Sequence, residues 1–527
     1  MRKTILISVF ALLLLSGAVA AKTYSVSVSQ PVSTSSGIVL RGPIVTASVP
    51  IAPIYCNGTM CSNSKATAPT NDPRFIMDTN NSQAKQDAVS KGCKIVYELD
   101  EQTVVDCPDA IGKALPNSIP DQKYQLADLT TSIPIPNSIS PQDLMDNTYM
   151  QAPRLWDKNI TGRGTVVAVM DTGIDYTHPS LSNHILANKS FVSYTNDPMD
   201  DIGHGTHVAG IITSDGNPEI TECWNATDDS YIIIDCSKPH QYENLLVSKD
   251  LSKGIAPDAK IMMAKVCGFD GCWLSDIIAG LDWAVKGTNV SSSASCYTKC
   301  GSSSLCCKAA TECTYNTTAH KCTGNYTKTE IIKPDVISIS LGSSRTWLFG
   351  NCDKDPFAKK INDIVSKYRI PVVVAAGNSG WGVSSPGCAR NAIVAGASGS
   401  YPWPWCPESS LDCWYKNIVS FSGRGYAMKD HGVIAPGVYV FSTVPNGTCD
   451  LCSLTGFNYL SGTSMATPDV AGMVALMKQQ HPSWSVSQIK YKLFNTATPM
   501  KYGFYFEEGY EDYEQGHGLM NATAVSS

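Results

Sequence analysis

Several stretches of the chain show no alternation of apolar and polar positions. TVVAVMD (165–171), KIMMAKVCG (260–268), DVISISLG (335–342), PVVVAAGN (371–378) and AIVAGA (392–397) are near-continuous apolar runs. The first stops at a carboxylate, the others at Gly or a small polar residue. Such runs suit strands buried on both faces of a parallel sheet. Between and after them, apolar residues recur three and four apart. Ile277, Leu281, Ala284 and Val285 share one helical face, as do Phe357, Ile361, Ile364 and Val365. Val470, Met473, Val474 and Met477 form another stripe, just after Ser464. Strand and helix in alternation predict an α/β fold: a doubly wound, mostly parallel sheet with helices on both faces. In such sheets, active groups collect where the C-terminal ends of strands meet loops.

The N-terminal part has a different rhythm. Arg2 and Lys3 precede an apolar run over about 5–15, followed by Ala18-Val19-Ala20. This reads as an export signal over 1–20. The run is short for a membrane anchor, which needs ~20 apolar residues. Residues 21–72 are rich in Ser, Thr, Pro and Val and read as an extended leader. Residues 73–145 are more globular and predict a small α+β unit, tied by Cys93 and Cys107. The remainder, 146–527, contains the sheet pattern, interrupted at 215–250, 288–332 and 401–416. The middle interruption carries Cys296, Cys300, Cys306, Cys307, Cys313 and Cys322 and is too polar for a core of its own, so disulfides would have to order it. Spacing alone does not choose among the pairings.

Composition narrows the function. Net charge is −6 with no stripe of Lys and Arg, which argues against nucleic acid as a partner. The cysteine count is 20, an even number lying wholly beyond the signal, which fits disulfides in an oxidising compartment. Asn-x-Ser/Thr sequons recur from Asn57 to Asn521, as in a glycoprotein. The chain therefore reads as secreted, with no membrane span in its mature form.

Three segments carry candidate chemistry. Asp171 ends a buried strand, and a carboxylate there favours a cationic neighbour. His204 lies between two glycines in GHGTHVAG, at a helix start where backbones can approach closely. Ser464 lies in SGTSMATPDVAG, before an apolar helix whose first turn is expected to hold Pro468. A serine hydroxyl becomes a nucleophile only with a base in reach and a group to orient that base. Singly, Ser464 and Asp171 read equally well as helix caps, and His204 as a core histidine. His204 and His207 raise a metal reading, but the spacing is not His-Glu-x-x-His and no carboxylate ligand pattern follows.

Taken together, Asp171-Thr172-Gly173, His204-Gly205-Thr206-His207-Val208-Ala209-Gly210 and Gly462-Thr463-Ser464-Met465-Ala466-Thr467-Pro468 resemble the signature motifs of the subtilisin-like serine proteases, in the order of that family. AAGNSG resembles the family's oxyanion segment and SISLG its substrate-binding strand. The resemblance spans roughly 162–525. It implies a serine endopeptidase with Asp171, His204 and Ser464 as catalytic residues and Asn378 in the oxyanion hole. It places Ser340, Leu341, Gly342, Ala375, Ala376 and Gly377 along the bound peptide. It also implies that 73–145 is a propeptide that inhibits the enzyme from within the same chain. No cofactor is required. Calcium is doubtful at the family's usual position, where the expected acid is Ser180. The alternative is a catalytically silent protein of this fold, used for binding or adhesion through the cysteine-rich insertion.

Overall fold

The computed structural model describes residues 55–56, 59–60, 73–78, 82–99, 102–126, 146–216, 223–225, 230–232, 252–296, 313–399, 416–500 and 510–525. The chain divides into two units, Met1–Ala66 and Thr67–Ser527. The first is described only in an antiparallel pair, Tyr55–Cys56 with Thr59–Met60. The expected signal, most of the leader, and the tryptophan-rich stretch 401–415 lie outside the described residues.

The second unit opens with a small α+β layer. Its elements are β1 (Arg74–Asp78), α1 (Ser82–Ser90), β2 (Lys94–Glu98), β3 (Gln102–Asp106), α2 (Asp109–Ala114) and β4 (Ile119–Pro120). The strands form an antiparallel sheet in the order β2-β3-β1-β4. Alternation along β1 and β3 gives each a two-sided role. Phe75, Met77 and Val105 pack with Ala84, Ala88 and Leu115 into a core of their own. Ile76 and Val104 face the other way, into the core of the larger part. A disulfide joins Cys93 to Cys107 within this layer.

The larger part is built on seven parallel strands: β6 (Val166–Asp171), β7 (Ile185–Ser190), β8 (Lys260–Lys265), β11 (Val336–Ile339), β13 (Val372–Ala375), β14 (Ile393–Ser398) and β15 (Gly432–Pro436). Their order is β15-β14-β13-β11-β6-β8-β7, and every adjacent pair is parallel. Neighbouring residues of one strand point to opposite faces. Val167, Val169, Ile261, Met263, Val373 and Ala395 therefore meet α3 (His204–Thr213) and α6 (Thr463–Gln480) on one side. Ala168, Met170, Met262, Ala264, Val374 and Val394 meet α4 (Leu274–Lys286) and α5 (Pro356–Tyr368) on the other. This two-sided burial explains why the strand sequences lack polar alternation.

A second sheet lies at the C-terminal ends of these strands. It runs β9 (Cys267–Gly268), β10 (Gly271–Trp273), β5 (Lys123–Leu126), β12 (Leu341–Gly342) in spatial order. The strand that leaves the small layer is thus inserted between two strands of the larger part. Cys267 and Cys272 are bonded across the β9–β10 hairpin. Elsewhere Cys352 is bonded to Cys388 and Cys449 to Cys452. The insertion at 288–332 is described as a ribbon, Thr288–Ser295 paired with Asn325–Ile332, with Cys296 bonded to Cys313. The remaining cysteines of that insertion, Cys322 apart, lie outside the described residues. Among the described residues, no helix is long and apolar enough to cross a membrane.

Candidate active site

Asp171 is the last residue of β6 and is fully buried. One carboxylate oxygen takes both the Thr172 N–H, at 2.8 Å, and Nδ1 of His204, at 2.7 Å. His204 begins α3, following Gly203 at φ 108°, in the left-handed region that suits glycine. Gly205 is needed for a different reason. A Cβ there would stand 2.2 Å from the Gly173 carbonyl oxygen, so the helix start approaches the Asp171 loop only because no side chain intervenes.

Asp200 locks the same junction, although the sequence reading passed over it. One oxygen accepts from the Thr172 hydroxyl and the Gly203 N–H, both at 2.8 Å. The other accepts from the Thr206 N–H at 2.8 Å and the Thr206 hydroxyl at 2.7 Å. The Thr172 hydroxyl in turn accepts from the Gly205 N–H at 2.8 Å. The strand end bearing Asp171 and the helix start bearing His204 are therefore tied through one buried carboxylate. An acid just before a glycine-flanked helix start was the available signal. Lys265, also buried, sits opposite Asp171 in the β6–β8 ladder and donates to the Thr172 carbonyl at 2.6 Å.

His207 is separate from this pair in role. Its Nε2 lies 3.1 Å from the carbonyl oxygens of Val440 and Asn458. Burial, and then the nearby charge of His204, push its pKa down to about 3, so it stays neutral. It is a core histidine bonded through Nε2 alone; its buried Nδ1 has no partner among the described residues.

Ser464 is the second residue of α6 and is fully buried. Its hydroxyl donates to the Ser340 carbonyl at 3.1 Å, and the Ser340 hydroxyl donates back to the Ser464 carbonyl at 2.9 Å. The position of Pro468 corrects the sequence expectation. It lies inside the helix rather than in its first turn, because the helix begins at Thr463. Its missing N–H is the one that would have bonded the Ser464 carbonyl. Ser340 supplies the hydrogen bond that proline withholds.

Asn378 follows β13 through Ala376 and Gly377. Its side-chain oxygen accepts from the Thr463 N–H at 3.0 Å and the Thr463 hydroxyl at 2.9 Å. This fixes the amide orientation, and the buried Nδ2 has no partner among the described residues. Gly377 donates to the same Thr463 hydroxyl at 3.1 Å. Leu341, Ala375 and Ala376 are buried beside it, and Leu341 and Gly342 pair with Leu126 and Gln125 of β5.

The subtilase family model matches residues 162–518. The chain belongs to the subtilase family. Subtilisin Savinase of Lederbergia lenta is 30% identical over 379 residues, covering 72% of this chain and 96% of its own. Serine protease AprX of Bacillus subtilis is 30% identical over 358 residues, covering 65% of this chain; the match spans 63% of AprX. Subtilisin amylosacchariticus of Bacillus subtilis subsp. amylosacchariticus is 28% identical over 387 residues, covering 72% of this chain and 70% of its own. This subtilase is accordingly a serine-type endopeptidase with the α/β architecture of its family, and proteins are its substrates. Ser180 is buried, and its N–H donates to His178 Nδ1. Among the described residues no three His, Cys, Asp or Glu side chains gather as metal ligands.

Proposed function

We propose that this subtilase is a secreted endopeptidase made as a proenzyme, with Asp171, His204 and Ser464 as its catalytic residues. Ser464 attacks the peptide carbonyl while His204 takes the hydroxyl proton. His204 then gives that proton to the departing amine, and water releases the acyl group by the same steps in reverse. Asp171 holds the proton of the imidazole at Nδ1 and stabilises the imidazolium. The oxyanion is met by Asn378 Nδ2 and the backbone N–H of Ser464, at the positive end of α6. The unpaired amide of Asn378 supports this, since a buried donor without a partner is costly unless a ligand uses it.

The observation that carries the reading is the course of β5. It lies antiparallel on Leu341 and Gly342, and the next residue of that strand, Ser340, holds the Ser464 hydroxyl. A peptide running this way is a strand added to the enzyme's own edge. The small layer therefore acts as an inhibitor whose exit strand fills the cleft, and the maturing cut falls C-terminal of Leu126. The paired disulfides favour an extracellular setting. A silent binding protein would have no use for the Asn378 orientation or the occupied cleft.

Expression of Ser464→Ala tests this. Its product is expected to retain the small layer and to hydrolyse no protein, while wild type is shortened and active. Normal shortening of Ser464→Ala, when it is the sole copy present, would contradict self-processing.

A further inference from the structure

Tyr124 is fully buried, although it lies on the short β5 rather than in a core strand. It pairs with Cys272 of the disulfide-closed hairpin β9–β10. Its ring meets Phe357 edge-on, with centroids 4.9 Å apart. The end of this pocket is not apolar. The Tyr124 hydroxyl points to Asp355 Oδ1 at 3.4 Å, and the Ser385 hydroxyl donates to the same oxygen. Burial, then the Asp355 charge, hold the phenol far above its usual pKa, so it remains a donor. Asp355 also caps α5, accepting from Phe357 N–H at 3.1 Å and Ala358 N–H at 3.2 Å. The cap holds the carboxylate in place at the pocket floor.

We propose that Asp355, with Ser385, is a specificity-determining residue that selects tyrosine over phenylalanine in peptide substrates. This rests on the proteolytic reading above. The register fixes where the tyrosine belongs. Leu126 lies opposite Leu341 and Gln125 opposite Gly342, so in a substrate peptide of the same register the residue level with Ser340, whose carbonyl holds the Ser464 hydroxyl, is the one cut after. Tyr124 occupies the position three residues before it, the fourth before the scissile bond. A tyrosine there gives its hydroxyl to Asp355. A phenylalanine there brings no donor to the half-buried carboxylate and covers it, and the buried Ser385 hydroxyl beside it, with a ring edge that cannot hydrogen-bond.

The test uses the purified, processed enzyme and acyl-X-Gln-Leu-Ala-p-nitroanilide peptides, with X as Tyr, Phe or Ala. The kcat/KM ratio of Tyr to Phe is expected to be about tenfold in wild type. In Ser385→Ala and Asp355→Ser it falls towards one. Serine still caps the helix but does not reach the phenol. Asp355→Asn keeps an acceptor and retains part of the preference. Each ratio is internal to one protein, so a partly folded variant still reports. Should Asp355→Ser not fold, Ser385→Ala carries the comparison. A wild-type ratio of one or less, or a preference unchanged in both variants, overturns the proposal. If all peptides are cut alike and a fluorophosphonate labels Ser464, only this specificity fails. If none is cut and nothing is labelled, the proteolytic reading fails with it.

Discussion

The nucleophile's surroundings turn on a single proline. Pro468 deprives the Ser464 carbonyl of its helical partner, and Ser340 fills the gap while its own carbonyl receives the Ser464 hydroxyl. Ser340→Ala would leave a buried acceptor unpaired, at a cost of about 1–3 kcal/mol. The backbone that pairs with substrate is untouched. The expected result is a kcat lowered by about tenfold with KM little changed, read from peptide hydrolysis; an unaltered kcat would show that the reciprocal pair does not position Ser464. At this scale the sequence showed which residue types stood at the strand and helix ends, because glycines and small residues mark them. It did not show Asp200, whose importance lies in holding the distant Thr172 hydroxyl on the same carboxylate as donors from the start of α3.

Among the elements, the helix beginning at Leu274 is where the small layer grips the enzyme. Asp121 accepts from the Ser275 N–H at 3.0 Å and the Ser275 hydroxyl at 2.6 Å, and Arg74 pairs with Asp276 at 3.0 Å. Burial raises the Asp276 pKa to about 7, against the pull of Arg74 and with the repulsion of Asp121 added. Burial raises Asp121 as well. The docked state thus keeps a proton that a solvated aspartate releases near pH 4. Its contribution is fully present below that pH and is lost as pH rises to about 7. In the Ser464→Ala chain, thermal stability should fall over this window, and adding Asp276→Asn should flatten the fall. An identical slope in both would remove Asp276 from the account. The unbroken apolar runs made the central strands legible from sequence. The segment at Leu341 was legible as a strand through its resemblance to the family's substrate-binding strand, but its pairing with β5 and the hairpin at 267–273 were not, because β5 is a distant segment and no local pattern announces it.

The whole molecule follows from one sheet with helices on both faces, and that architecture was readable because each strand is buried twice. The parallel sheet proved complete across all seven strands. The small layer was readable as a unit, but its docking was not, since Phe75, Met77 and Val105 of its sheet serve its own core whereas Ile76, Val96, Tyr97, Val104 and Ile119 face the larger part. The insertion at 288–332 had too little apolar content to foretell its pairing, and the Cys296–Cys313 bond emerged only in three dimensions. On this reading the whole assembly converges on one reactive hydroxyl. Treating the purified enzyme with a fluorophosphonate and mapping the modified peptide tests it most directly. A single adduct on Ser464, absent from His204→Ala, is expected; labelling of another residue, or of none in a protein that cleaves peptides, would overturn the assignment of Ser464 as nucleophile.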